Sequence, residues 1–112
     1  MLNGISSRLE QYLDLLSARQ RLTASNIANA DTPGYKTKDV DFHFEFMSAV
    51  QGESPRVVEA PGLAAKNDGN NVSVDREARM LAENAIRFSA ASQLLRSQIR
   101  VVRSAIQEGR SG

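Results

Sequence analysis

The stretch that decides the fold is residues 75–108, DREARMLAENAIRFSAASQLLRSQIRVVRSAIQE, which contains neither proline nor glycine. Nine of its positions are spaced alternately three and four residues apart, and eight of the nine are apolar. These positions are Ala78, Leu81, Ala85, Phe88, Ser92, Leu95, Ile99, Val102 and Ile106. A stripe sustained over about four heptads predicts a coiled-coil helix. At about 33 residues the helix would be roughly 50 Å long. A chain of 112 residues cannot cover that whole stripe within one globule.

The residues around this stripe indicate contacts on more than one side of the helix. Positions beside it are mostly small or arginine, whereas a two-stranded zipper usually places Glu and Lys there. Ile86, Leu94 and Val101 lie off the stripe and add a second apolar face. We expect Ser73 or Asp75 to cap the start of the helix and Gly109 to end it.

The N-terminal segment predicts a second long helix. It has no glycine or proline from Ser6 to about Ala30 and two apolar stripes, the second of them formed by Leu15, Ala18 and Leu22. The first stripe consists of Leu2, Ile5, Leu9, Tyr12, Leu13, Leu16 and Ile27. The sequence 31–34, DTPG, should stop this helix, because proline cannot donate to the ladder and glycine readily adopts a positive φ. The predicted fold is all-α, with the two terminal helices paired as an antiparallel coiled coil.

The middle of the chain follows a different pattern. Residues 39–46, DVDFHFEF, alternate strictly, with Val40 and three phenylalanines on one side, and this period predicts a short strand. Residues 51–71 are rich in proline and glycine and are predicted to be loop. The chain therefore divides into an N-terminal helical segment 1–33, an extended or loop segment 34–74, and a C-terminal helical segment 75–112.

Composition argues against most enzyme and nucleic-acid functions. The chain has no cysteine, and its single histidine, His43, is predicted to face solvent, so no metal site or cofactor is expected. The net charge of +1 is too small for a general nucleic-acid binder. Arg96, Arg100 and Arg103 do form a basic stripe, which we interpret as a side of the helix that faces water or forms salt bridges with a neighbouring subunit. No apolar run is long enough for membrane insertion, and residues 1–10 do not look like a cleavable signal peptide.

Residues 25–36, SNIANADTPGYK, closely resemble the N-terminal signature of bacterial flagellar basal-body rod and hook proteins. Residues 68–72, DGNNV, and the stretches 75–77 and 82–85, DRE and AENA, are similar to the same family in the right order. These features, together with residues 39–42, DVDF, make the proximal rod proteins the nearest match. The resemblance covers both helices, and the chain looks short for the family in its middle loop.

The resemblance implies a structural subunit of the proximal rod that polymerises through its terminal helices. Expected partners are copies of itself, other rod subunits, the MS-ring–rod junction and the type III export apparatus. The expected location is the periplasmic portion of the basal body, reached without a cleaved signal peptide. A possible export motif, a Phe followed four residues later by an apolar residue, occurs at Phe46 and Val50.

Subunit contacts are expected along the helical stripes and at the signature turn. On the stripes the candidate interface residues are Leu9, Leu13, Leu16, Leu22, Ile27, Leu81, Phe88, Leu95, Ile99, Val102 and Ile106. In the turn they are Asn26, Asn29, Thr32, Pro33, Gly34 and Tyr35. Asparagine is a poor residue within a helix, so Asn26 and Asn29 should bond freed carbonyls or a neighbouring chain, or else simply face water at a helix end.

An alternative function stays open at this stage: a stand-alone helical dimerisation or adaptor module using the same stripe. The number of apolar faces separates the two hypotheses. Two faces on both helices favour a polymer, whereas a single stripe favours a dimer.

Overall fold

Two long helices form the frame of the computed structural model, which describes residues 4–48 and 55–111. Helix α1 spans Gly4–Ala28, and helix α3 spans Val74–Ser111. Between them come strand β1 at Lys38–Val40, helix α2 at Phe42–Ser48 and strand β2 at Val57–Glu59. The described part of the molecule is elongated, with extents of 71 × 25 × 18 Å.

Helices α1 and α3 pack against each other in antiparallel orientation. Asn26, near the end of α1, bonds Glu77 in the first turns of α3, while Leu16 shares a groove with Phe88, further along α3. Earlier residues of α1 thus meet later residues of α3, which confirms the predicted pairing. Because α3 has 38 residues and α1 has 25, the last turns of α3 extend beyond the start of α1.

The two ends of α3 agree only in part with the sequence prediction. Ser73 caps the start, since its hydroxyl accepts from the backbone N–H of Arg76 at 3.3 Å. Gly109 does not end the helix, which continues to Ser111. A glycine ends a helix by adopting a positive φ itself, so that the chain after it turns back and bonds the last turn of the helix. Here none of the described residues after Gly109 folds back, so the glycine stays helical.

The second apolar face of α1 is covered by β1 and α2, which we call the arm (residues 38–48). Leu15 and Ala18 of α1 form a buried cluster with Val40 of the arm. Leu22, Phe42 and Phe46 pack against this cluster. Both faces of α1 therefore have partners within the same chain: α3 on one side and the arm on the other.

The predicted strand 39–46 is wrong beyond Val40, because residues 42–48 are helical. Asp41 starts α2, its side chain accepting from the N–H of Phe44. In a helix Phe42 and Phe46 are four residues apart on one face, and their rings stack with centroids 6.5 Å apart. Alternation over so few residues also satisfies this helical spacing. Packing of both rings on α1 selects the helix and leaves Phe44 exposed.

The predicted loop 51–71 also contains a short strand. β2 pairs with β1 in antiparallel register, with Lys38 opposite Glu59 and Val40 opposite Val57. Residues 60–73, which lead from β2 to α3, contain turns and bends without helix or strand, as predicted. Residues 51–54 of the predicted loop lie outside the described part of the chain.

Candidate functional site

Asn26 lies at the centre of a hydrogen-bond network where α1 ends and α3 begins. Its side chain is fully buried. Its Nδ2 donates to the Lys38 carbonyl at 2.8 Å and to the Glu77 carboxylate, and its Oδ1 accepts from the Lys38 N–H at 3.0 Å and the Tyr35 hydroxyl at 3.1 Å. A carboxamide has two donor hydrogens and two acceptor lone pairs. Asn26 therefore uses its whole hydrogen-bonding capacity.

Glu77 brings a buried carboxylate into the first turns of α3. The side chain is only 1% exposed. One oxygen accepts from Asn26, and the other accepts from the Arg76 guanidinium at 3.0 Å. The N-terminal end of a helix also favours negative charge. Burying this charge is tolerable only with these partners in place, so the Asn26–Glu77 bond fixes the register of the two helices.

A second buried asparagine, Asn70, lies in the loop that precedes α3 and binds the turn that follows α1. Its Nδ2 donates to the carbonyls of Asn29 at 2.9 Å and Thr32 at 2.8 Å. Its Oδ1 accepts from the N–H of Val72 at 2.8 Å. Asn29 and Thr32 follow the end of α1 at Ala28, so this buried side chain ties the turn after α1 to the loop before α3, which is about 40 residues further along the chain.

Two glycines with positive φ meet where the signature turn contacts this loop. Gly34 has φ of 75° and Gly69 has φ of 84°. The N–H of Gly34 donates to the Asp68 carbonyl at 2.9 Å, and the N–H of Asn71 donates to the Tyr35 carbonyl at 3.2 Å. A Cβ on Gly69 would lie 3.4 Å from the Cα of Gly34. The predicted turn at Gly34 is confirmed, and it is one half of a paired turn.

Thr37 and Asn71 complete the network on the side of the sheet. The fully buried Thr37 donates its hydroxyl to Asn71 Oδ1 at 2.8 Å, and its N–H donates to the same oxygen at 2.6 Å. We call the whole network the polar junction; its members are Asn26, Tyr35, Thr37, Asn70, Asn71 and Glu77. It joins the end of α1, the start of the arm and the start of α3 into one unit.

The residues predicted for the signature turn have different roles in this geometry. Asn26 and Tyr35 belong to the polar junction, and Asn29 forms a local bond from its Nδ2 to the Ser25 carbonyl at 2.9 Å. Thr32, Pro33 and Gly34 are exposed. The buried asparagine thus works inside the chain, and the exposed turn residues remain available to a neighbour.

The predicted stripe residues are divided between the interior and the surface. Leu16 is buried. Eight others are half-buried along the helix pair and arm: Leu9, Leu13, Leu22, Ile27, Leu81, Leu95, Ile99 and Val102. Phe88 and Ile106 are exposed. Much of the predicted stripe therefore holds this chain together.

A different face of α3 is uncovered. Ile86, Leu94 and Val101 are 71%, 56% and 59% exposed, and their spacing of eight and seven residues places them on one side of the helix. We call these three residues the outer stripe. They are the second apolar face expected from the sequence, and none of the described residues covers them.

The possible export motif lies on the arm. The Phe46 ring packs edge-on to Tyr12 with centroids 5.9 Å apart, and the Arg8 guanidinium lies 4.2 Å from the ring centroid. Val50 is outside the described residues. In the folded chain, the Phe46 ring is thus engaged by α1.

Within residues 4–48 and 55–111 there is no group of three or more His, Cys, Asp or Glu residues arranged to hold a metal ion. His43 is exposed on α2 rather than on a strand. No helix among the described residues is both long and apolar enough to cross a membrane.

Sequence reasoning missed the partners that Asn26 finds in the fold. In the sequence, Thr37, Asn70 and Asn71 fall in the predicted extended or loop segment, and Glu77 falls in the predicted C-terminal helix. The stretches 68–72 and 75–77 resemble the family, but nothing in them indicates a contact with Asn26. A signal was present, because residues 66–71, KNDGNN, combine a glycine with three asparagines just before a helix. The side chains of such a segment can bond the backbone of another element, but the neighbouring residues do not indicate which element that is.

Comparisons with known proteins identify flagellar rod proteins as relatives of this chain. A family model described as "Flagella basal body rod protein" matches residues 13–36, which include most of α1 and the signature turn. The chain is 32% identical to the flagellar basal body rod protein FlgB of Salmonella typhimurium, with 89% of this chain and 91% of the relative covered. It is 34% identical to FlgB of Cereibacter sphaeroides, with 87% and 89% covered.

A more distant relative aligns over nearly the whole of both chains. FlgB of Bacillus subtilis is 26% identical, with 98% of each chain covered. The Salmonella typhimurium alignment spans 129 positions, more than the 112 residues of this chain, so that relative has residues that this chain lacks.

Proposed function

The chain belongs to the FlgB family of flagellar basal body rod proteins, and on that premise we propose that it polymerises within the rod through its two long helices. It is a structural subunit of the flagellar basal body. The observation that carries the proposed mode of assembly is the outer stripe, an apolar face of α3 that α1 and the arm leave uncovered. A large exposed apolar patch marks an interaction site.

The free energy available from covering the outer stripe is large enough to drive assembly. Fully burying a Val, Leu or Ile side chain contributes about 1.5–3 kcal/mol. Ile86, Leu94 and Val101 already have part of their surface covered, since they are 56–71% exposed. Covering the remainder would contribute roughly 3–6 kcal/mol per subunit on the same scale. Repetition along a polymer multiplies this contribution.

The polar junction has a supporting role in this proposal. Because Asn26 and Glu77 fix the register of α1 against α3, every subunit presents the outer stripe in the same position relative to the rest of its surface. A repeating assembly needs this uniformity, since each contact is made by the same two surfaces. The junction acts inside the subunit and the outer stripe acts between subunits.

The finer assignments follow from the family. We infer that the partners are copies of this chain, other rod subunits and the MS-ring–rod junction, and that the subunit lies in the periplasmic portion of the basal body. We also infer export by the type III apparatus without a cleaved signal peptide. Export in an unfolded state would release Phe46 from Tyr12 and make the possible motif at Phe46 and Val50 accessible.

The proposal is tested by placing a charge on the outer stripe. Leu94→Asp should leave the fold of the purified chain unchanged, because the side chain is already 56% exposed. In an assembly the same change buries an unpaired carboxylate, which costs several kcal/mol. We expect the variant to be made and exported but absent from isolated basal bodies. Asn67→Asp, a new charge in an exposed loop, is the control and should incorporate normally.

Two results would contradict the proposal. Normal incorporation of the Leu94→Asp variant would show that the outer stripe is not a subunit contact. Purified chain that stops at a dimer and never enters basal bodies would instead favour the stand-alone dimerisation module.

A further inference from the structure

The loop before α3 contains Asp68 followed by Gly69, a pair whose backbone can rearrange in water. In this reaction the amide nitrogen of the glycine attacks the side-chain carboxyl carbon of the aspartate. The carboxyl group loses a hydroxyl and the amide loses its hydrogen; together they leave as water, and a five-membered succinimide ring forms. One water molecule then opens the ring to give either aspartate or isoaspartate, in which the main chain runs through the former side chain. Water is the only co-reactant.

Asp68 is the aspartate of this chain that is best placed by sequence for such a reaction. Glycine has no side chain to obstruct the attack of its nitrogen. The other five aspartates precede Leu, Thr, Val, Phe and Arg, all of which do obstruct it. Asp68 is also exposed, so water reaches the site. The local sequence therefore favours ring closure at this position.

The folded loop engages both reacting groups with other partners. The N–H of Gly69 donates to the Lys66 carbonyl at 2.9 Å, so the hydrogen that must leave is held in a backbone bond. Oδ1 of Asp68 accepts from the N–H of Asn70 at 3.0 Å, which fixes the carboxylate. Asn70 is itself held by two carbonyls of the turn after α1. Ring closure therefore requires this loop to open.

Isoaspartate at position 68 would also disrupt the contact between the loop and the signature turn. The N–H of Gly34 donates to the main-chain carbonyl of Asp68 at 2.9 Å, and in isoaspartate that carbonyl becomes part of a free carboxylate. The main chain between residues 68 and 69 also gains one carbon atom. A Cβ on Gly69 would lie only 3.4 Å from the Gly34 Cα, so the paired turn has little room for the extra atom.

We infer that Asp68 is a site of isoaspartate formation, that the closed polar junction suppresses the reaction, and that a chain which has reacted cannot close the junction. The reaction is confined to molecules whose loop is open, so its rate measures how often the loop opens. The inference concerns the single subunit and does not depend on which surface subunits use to assemble.

The site and its suppression are tested by comparing the rate of reaction in folded and unfolded chain. The full chain is incubated in buffer and in concentrated guanidinium chloride at the same pH and temperature. Peptide mapping that separates isoaspartate from aspartate follows position 68. We expect isoaspartate to form at least about tenfold faster in the denaturant. Equal rates would overturn suppression by the fold, and no isoaspartate in the denaturant would overturn the site.

Two variants test whether the polar junction provides the suppression. Asn70→Ala removes the bonds to the turn after α1, and isoaspartate at position 68 should form several-fold faster in buffer than in the wild type. Gly34→Ala disturbs the turn more mildly, since a Cβ there meets no neighbouring atom, and it keeps the test available if Asn70→Ala does not fold. Asn67→Ala, an exposed change in the same loop, is the control. Wild-type rates in a folded Asn70→Ala or Gly34→Ala variant would overturn the role of the junction.

The effect of the modification on the fold is tested on chain that has already reacted. Chain containing isoaspartate at position 68 is purified, returned to buffer and unfolded in urea beside unreacted chain. Both samples carry Asn3→Ala, because an asparagine followed by glycine forms the same ring. We expect a lower unfolding midpoint for the reacted chain, restored after repair by a protein isoaspartyl methyltransferase. Equal midpoints would show that the junction closes around isoaspartate and would overturn this part of the inference.

Discussion

Removing the side chain of Asn26 should strongly destabilise the isolated subunit, although the change is a single buried amide. The Asn26→Ala variant loses four hydrogen bonds, to Tyr35, to Glu77 and to both backbone groups of Lys38. A buried neutral group left without its partner costs about 1–3 kcal/mol and a charged one more. Because some of these groups will find water, we expect a total loss of roughly 3–6 kcal/mol. Domains of this size are stable by only about 5–15 kcal/mol.

Asn29→Ala is the matched control, since it makes the same chemical change three residues away. Asn29 is half-buried, and its side chain bonds the Ser25 carbonyl and the Thr32 hydroxyl locally. We expect a loss below about 1 kcal/mol. Urea unfolding followed by circular dichroism at 222 nm, a wavelength that reports helix, would measure both variants as dilute monomers. Equal losses for the two variants would refute the assignment of Asn26 as the centre of the junction.

Three further predictions follow from the same contacts. Gly34→Ala should destabilise the monomer by about 1–2 kcal/mol in the same titration. A Cβ would meet no neighbouring atom there, but φ is 75°, a conformation that strains any residue other than glycine. No change in stability would show that the backbone of the turn adopts another φ at no cost. Phe42→Ala should lower the free energy of unfolding by about 2 kcal/mol through lost packing on Tyr12. Phe44→Ala removes an exposed ring and should lower it by under about 1 kcal/mol. Thermal unfolding measures both, and a larger loss for Phe44→Ala would contradict the packing of the arm on α1 through Phe42. Leu95→Asp should lower the free energy of unfolding of the monomer by several kcal/mol, because it places a charge at a half-buried position. The Leu94→Asp variant should keep its helical circular dichroism signal, and equal loss of signal in both variants would contradict the assignment of the side of α3 that faces α1.

The long helices were predictable because their signal is local and repeated many times. The stripe from Ala78 to Ile106 and the break at Pro33 and Gly34 depend on residues close in sequence. The sequence also indicated the exposed face at Ile86, Leu94 and Val101. The sequence did not show that the second stripe of α1, formed by Leu15, Ala18 and Leu22, is covered by the arm of the same chain.

The arm and the polar junction depend on contacts between distant residues. The phenylalanines at 42, 44 and 46 satisfy a strand period and, at 42 and 46, a helix period. Their packing on Tyr12, 30 or more positions earlier in the chain, decides between the two. Likewise, nothing near Asn26 indicates that a glutamate 51 residues away completes its hydrogen bonds. A buried asparagine is detectable as an anomaly in the sequence, whereas its partners are a property of the fold.

The most direct test of the proposed assembly is the reactivity of one position on the outer stripe, measured in the monomer and in the rod. A Leu94→Cys variant carries the only thiol in the chain, since the natural sequence has none. Assembly through the outer stripe predicts rapid labelling by a maleimide in the purified monomer and strong protection in isolated basal bodies, while an Asn67→Cys control labels equally in both. Equal labelling of position 94 in the monomer and in the basal body would contradict assembly through this face.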